Sequence, residues 1–265
     1  MADVFAVDFD GVLCDSAGEV AVSAWRAGAA IWPEWRALGP EPPPESVARF
    51  RRLRPLIETG HQAILLMRLV FQGAEGATDA ELAALEERLA GEGWGRARLV
   101  ELFGRTRDEW LLRDLPDWLG RHGFYPGALE ALSTRLGTDA VFIVTTKQER
   151  FVEALLRSRR LFLPPGHIFG LNPLKSKEDV LEELSGRRGH AGVRLHFVED
   201  RLLTLLRVAE RAGLEHVELY LAAWGYNTEE ERALARAHPR ITVWSLPEFL
   251  WVKESRQSSL ETEDV

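Results

Sequence analysis

"VDFDGVLCDS", residues 7–16, places Asp8 and Asp10 two positions apart directly after an apolar run, seven residues into the chain. The flanking stretch "DVFAVDFD" (3–10) predicts a short buried strand that ends at the acidic pair. A buried strand needs neighbours, and the next residues do not supply them. From Ser16 to Arg121 the apolar spacing is helical, broken by "GPEPPPES" (39–46), "GAEGATD" (73–79) and "GEGWG" (91–95). Helices are expected over 17–31, 46–58, 61–72, 79–90 and 96–113, with no convincing strand among them.

After "HGFYPGALEAL" (122–132) strands and helices alternate. Strands are expected at "DAVFIVTT" (139–146), around His167 to Gly170, and at "VRLHFVED" (193–200), "HVELYLA" (216–222) and "ITVWS" (241–245). Helices are expected near 127–136, 148–157, 177–185, 202–212 and 229–237. This order predicts an α/β, Rossmann-like parallel sheet with helices on both faces, to which the first strand belongs. The expected organisation is a core of residues 1–15 and 122–252, an all-helical insertion over 16–121, and a polar, disordered tail over 253–265. Ligands of open parallel sheets bind beyond the carboxyl ends of the strands. The residues expected there are Asp8 and Asp10, Thr145 and Thr146, and Glu199 and Asp200.

Bulk properties narrow the function. The 265 residues are 46% hydrophobic, enough for one large core or two smaller ones. A net charge of −8 shows no basic footprint for nucleic acid. No apolar run is long enough to span a bilayer, the strand pattern beginning at Asp3 leaves no room for a signal peptide, and a single cysteine, Cys14, fits a reducing compartment. A cytoplasmic protein without nucleic-acid or membrane partners is expected. Of the 33 basic residues only Lys147, Lys175, Lys177 and Lys253 are lysine.

Four carboxylates at adjacent strand ends would repel one another unless a cation shared the site, and Mg²⁺ prefers carboxylate oxygens. A carboxylate of Asp8 or Asp10 left free could attack a phosphoryl group, with threonine hydroxyls and a nearby ammonium holding the phosphoryl oxygens.

With these residues in order, the chain resembles the haloacid dehalogenase superfamily, most of whose members are Mg²⁺-dependent phosphatases. The resemblance rests on "DFDGV", on "VFIVTT", on a lysine at a helix start in "LKSKEDVLEEL", and on "HFVED". It covers residues 1–245, with the helical insertion where one large group of the superfamily carries a cap. It implies Asp8 as nucleophile and Asp10 as acid and base. It implies Gly11, Thr145, Thr146 and Lys177 (or Lys175) around the phosphate, and Asp8, Asp10 (through its carbonyl), Glu199 and Asp200 around Mg²⁺. The implied substrate is a small phosphorylated metabolite. Many relatives carry a GDxxxD pattern where this chain has Glu199, Asp200 and Thr204.

Plainer readings stand beside these. Asp15 and Ser16 can simply start a helix, Thr228 and Glu231 in "WGYNTEEE" (224–231) form a capping box, and the arginines of "RFRRLR" (49–54) spread round a solvated helix. Residues 16–121 contain no lysine, which disfavours a Schiff-base phosphonate cleavage, and Asp10 disfavours metal-free dehalogenation. A sugar-phosphate mutase and a non-catalytic phospholigand scaffold remain as alternatives.

Overall fold

In a computed structural model, which describes residues 3–187 and 192–251, the chain divides into two compact units. One comprises Met1–Cys14, Phe124–Thr145 and Glu149–Val265, and the other Asp15–Gly123 with Thr146–Gln148. The expected tail over 253–265 lies outside the described residues.

The first unit is built on a six-stranded sheet. Its strands are β1 (Val4–Val7), β4 (Ala140–Val144), β5 (Ile168–Phe169), β6 (Leu195–Glu199), β7 (Val217–Ala222) and β8 (Ile241–Trp244), in the order β5-β4-β1-β6-β7-β8. All neighbours are parallel. Two-residue strands β2 (Cys14–Asp15) and β3 (Gly123–Phe124) form a separate ribbon. Helices α7 (Ala128–Leu136), α8 (Glu149–Ser158), α9 (Lys177–Gly186), α10 (Leu202–Glu210), α11 (Glu229–Ala237) and α12 (Leu246–Trp251) follow the strands. The Rossmann-like reading thus describes the sheet, and continuous burial of β1, β6 and most of β4 explains why these strands read as apolar runs rather than alternating ones. One core cluster joins Val4, Phe142, Phe197 and Leu219 from the strands with Leu181 and Leu205 from α9 and α10.

The strand order fixes the position of any site. Successive strands run from β1 outward through β4 to β5, then the chain crosses β1 and runs through β6 and β7 to β8. Val7 therefore pairs with Ile143 on one side and Val198 on the other. The residues just past those three positions stand together at the point where the winding reverses, which is where open α/β sheets bind ligands.

The second unit is helical: α1 (Ala17–Gly28), α2 (Pro33–Leu38), α3 (Pro44–Leu53), α4 (Gly60–Phe71), α5 (Asp79–Gly91) and α6 (Arg96–Gly120). Its core stacks Trp25 on Trp35 at 4.4 Å, and Gly28 has no room for a Cβ against Trp35. Two expected helices are shorter than their apolar spacing suggests. The one over 17–31 stops at Gly28 and restarts at Pro33, and the one over 46–58 ends at Leu53 in a 3₁₀ turn containing Pro55. The last helix runs on past 113, but Asp114 leaves helical geometry (φ −154°, ψ 76°) two residues before Pro116. Proline denies its ring to a continuing helix, and Asp114 Oδ1 accepts the Asp117 N–H 3.0 Å away, restarting the turn.

Within this unit Glu19 is fully buried among polar partners. Arg107 grips it through two hydrogen bonds of 2.8 and 2.6 Å, Ser23 and Trp118 donate to it at 2.5 and 3.2 Å, and the Lys147 ammonium lies 3.9 Å away. Burial opposes its charge, yet Arg107 and its other cationic neighbours hold the carboxyl well below the usual glutamate range.

Candidate active site

The carboxyl end of the sheet gathers Asp8, Glu199 and Asp200, all buried, with one carboxylate oxygen from each within 4.8 Å of the others. The placement follows from register. Asp8 is the first residue past β1, its N–H bonded to Val198 O at 2.9 Å, while Glu199 ends the adjoining β6 and Asp200 follows it.

Lys177 is the first residue of α9, whose start is capped by Ser176 and Asp179. Its ammonium is 2.6 Å from Glu199 Oε2 and 3.0 Å from Asp8 Oδ1. Lys175 instead pairs with Glu183 along the same helix and is more exposed. Thus the two lysines of "LKSKEDVLEEL" part company, one turned to the carboxylates and one to the surface.

Glu199 is further tied to its own turn, accepting N–H groups of Asp200 and Arg201 at 3.1 and 3.0 Å. Burial works against its charge, but Lys177 keeps it below the usual glutamate range. The other two acids move the opposite way. Burial, opposed by Lys177 and reinforced by Glu199 and Asp10, pushes Asp8 up to about 7. Burial and the charges of Glu199 and Asp8 raise Asp200 well above the aspartate range. One ammonium does not satisfy three buried carboxylates, and their all-oxygen donor set suits a hard divalent cation such as Mg²⁺.

The "DFDGV" turn shapes the near wall. Gly11 has a φ of 88°, and a Cβ there would fall 1.9 Å from Asp200 Oδ2. Asp10 is half-buried, forms an isolated bridge with Cys14, and is close enough to Asp8 to raise its pKa. Thr145 is buried just past β4, its N–H bonded to Phe169 O at 2.9 Å. The next residue, Thr146, falls in the helical unit and donates its hydroxyl to Glu58 O at 2.9 Å. Thr204, standing where many relatives of the resembled family have an acid, is buried on α10 and bonded to Arg207 rather than to a carboxylate of the cluster.

Sequence reasoning missed part of the site. Thr228 and Glu231 do form the capping box of α11, but the residues just before it serve Asp200. The Tyr226 N–H donates to Asp200 Oδ2 at 2.7 Å, and the Asn227 side-chain amide donates to Asp200 O at 2.9 Å. Gly225 packs so closely that a Cβ would lie 2.3 Å from Asp200 Cβ. The available signal was that "WGYN" (224–227) follows a predicted strand on the same edge of the sheet as the acidic residues.

The fold is shared with solved structures of predicted phosphatases and haloacid dehalogenase-like hydrolases. The chain is similar over nearly its whole length to a predicted phosphoglycolate phosphatase from Haemophilus somnus (TM-score 0.56, 16% identity, 97% of this chain and 98% of that one). It is also similar in fold to a predicted phosphatase from Clostridium acetobutylicum (0.51, 17%, 98% and 99%) and to a haloacid dehalogenase-like hydrolase from Streptococcus pneumoniae (0.53, 13%, 98% and 98%). No protein-family model matches the chain, and no curated protein matches it by sequence.

Proposed function

We propose that this protein is a Mg²⁺-dependent phosphomonoester hydrolase that acts through an aspartyl-phosphate on a small phosphorylated metabolite. The observation that carries the reading is the placement of Asp8 between Glu199, Asp200 and the Lys177 ammonium at the switch point of the sheet.

Asp8, Glu199, Asp200 and the Asp10 carbonyl would hold the ion. When bound, it neutralises the crowded carboxylates and the phosphoryl oxygens and so lets Asp8 work ionised. An oxygen of Asp8 attacks phosphorus and the P–O bond to the alcohol breaks, while the Asp10 carboxyl gives its proton to the departing oxygen. A water then attacks the phosphorus of the aspartyl-phosphate, returning a proton to Asp10, and the bond to Asp8 breaks to release phosphate. Lys177 supports the first step by remaining charged: despite burial, Asp8 and Glu199 raise its pKa above the ordinary lysine value. Thr145, at the end of β4, holds a phosphoryl oxygen.

The test is a panel of phosphomonoesters, including sugar phosphates, phosphoglycolate and nucleotides, assayed with Mg²⁺ and with EDTA. Phosphate release in Mg²⁺ that EDTA abolishes supports the reading. No release from any substrate favours a non-catalytic scaffold, and transfer to a second hydroxyl of the substrate favours a mutase.

A further inference from the structure

The turn Gly225–Asn227, after β7, is the part of this centre that neither the sequence motifs nor the proposed chemistry employs. Both N–H groups of the Asn227 amide are engaged, one to Asp200 O and one to Ala222 O, each at 2.9 Å. They tie the end of β6 to the end of β7. The amide oxygen accepts from Arg232 at 2.8 Å, and the same guanidinium holds the Asn227 carbonyl at 3.0 Å. The amide nitrogen of this buried side chain is therefore committed to main-chain carbonyls, and its oxygen to the guanidinium that orients it. The turn cannot settle elsewhere at small cost, because Gly225 already lies against Asp200 and Gly11 O, the latter 2.5 Å from where a Cβ would stand. The turn presents to the site the Tyr226 N–H, which donates to Asp200 Oδ2.

We propose that Asn227 is a positioning residue for the metal centre. By fixing the turn, it keeps one oxygen of Asp200 on the Tyr226 N–H and leaves the other for the cation. The inference rests on the metal reading above. A carboxylate held by a main-chain donor keeps its orientation before the ion arrives, so the ion does not have to order it, and loss of such outer support typically weakens metal binding about 10- to 100-fold. Asn227→Ala removes the side-chain donor to Asp200 O and leaves Ala222 O with only the Gly225 N–H, at 3.0 Å, which loosens the turn. Serine keeps one donor and is the milder change. Arg232→Met leaves the amide in place but removes what orients it.

The experiment titrates Mn²⁺, followed by its EPR signal, into metal-free wild type, Asn227→Ala, Asn227→Ser and Arg232→Met, with thermal unfolding of each metal-free protein alongside. The expected result is Mn²⁺ binding weakened about 10- to 100-fold in Asn227→Ala and by smaller factors in the other two. Variants that lose thermal stability but bind Mn²⁺ as tightly as wild type overturn the proposal and leave Asn227 a purely structural residue. If Asn227→Ala does not fold, unchanged Mn²⁺ affinity in both Asn227→Ser and Arg232→Met overturns it equally. Wild-type protein that binds no Mn²⁺ overturns the metal reading itself, an outcome distinct from a failure of Asn227.

Discussion

A Cβ on Gly11 would stand 1.9 Å from Asp200 Oδ2 and 2.9 Å from the Tyr226 ring. The glycine of "DFDGV" is thus required twice, by its positive φ and by the carboxylate that fills the space over its Cα. Gly11→Ala is expected to displace Asp200 and lose most of the proposed phosphatase activity. A mutant with normal circular dichroism and wild-type kcat/KM would show that the contact is relaxed at little cost.

On the proposed mechanism Asp8→Asn removes the attacking oxygen and is expected to abolish turnover. Asp10→Asn is expected to slow it by about 10²- to 10⁴-fold, the usual worth of general acid–base assistance. Steady-state phosphate release distinguishes the two, and near-normal rates in Asp8→Asn would refute the covalent route.

The two lysines give a paired comparison. Lys177→Ala and Lys177→Arg are both expected to lose most activity, since a broad guanidinium does not fit a point buried between Asp8 and Glu199. Lys175→Ala, which removes only a partly exposed pair with Glu183, is expected to be within a few-fold of wild type. The opposite ranking in kcat/KM would transfer the role to Lys175.

Breaking one side of a buried ion pair costs about 3–5 kcal/mol, so Glu19→Ala should be strongly destabilising by urea unfolding. Because the Glu19 pKa is depressed in the fold, its charged pairing stabilises the protein above the ordinary glutamate value of 4.5 and is lost as pH falls through the lower folded-state value. The stability difference between wild type and Glu19→Gln is accordingly expected to shrink below about pH 4.5. A constant difference down to pH 3 would show that the carboxylate charge contributes nothing.

Much of this arrangement could be read in the chain because it rests on strand ends. Asp8, Thr145, Glu199 and Asp200 each follow an apolar run, and parallel pairing alone brings such ends together. Lys177 was legible through its place at a helix start. Gly225, Tyr226 and Asn227 were not, for two reasons: their contribution is mostly main-chain N–H and the absence of a Cβ, which leave little mark on a sequence, and the capping box of Thr228 and Glu231 already accounts for the stretch. The break at Asp114 was visible only as the end of a periodic pattern, since Pro116 stops one helix without saying that another begins at once. The short helix α12 lacked enough length to show a period.

β1 lies at the middle of the sheet, with Val4 paired to Ala140 on one side and Leu195 on the other. During synthesis this strand leaves the ribosome long before either partner exists, and the whole helical stretch Asp15–Gly123 is completed in between. Helical contacts are local and form early, whereas a sheet closed by such distant pairings forms late. The nascent chain therefore carries an unpaired "VFAV" while the helical stretch that follows it makes its local contacts, which exposes this four-residue strand to aggregation or chaperone capture in competition with folding.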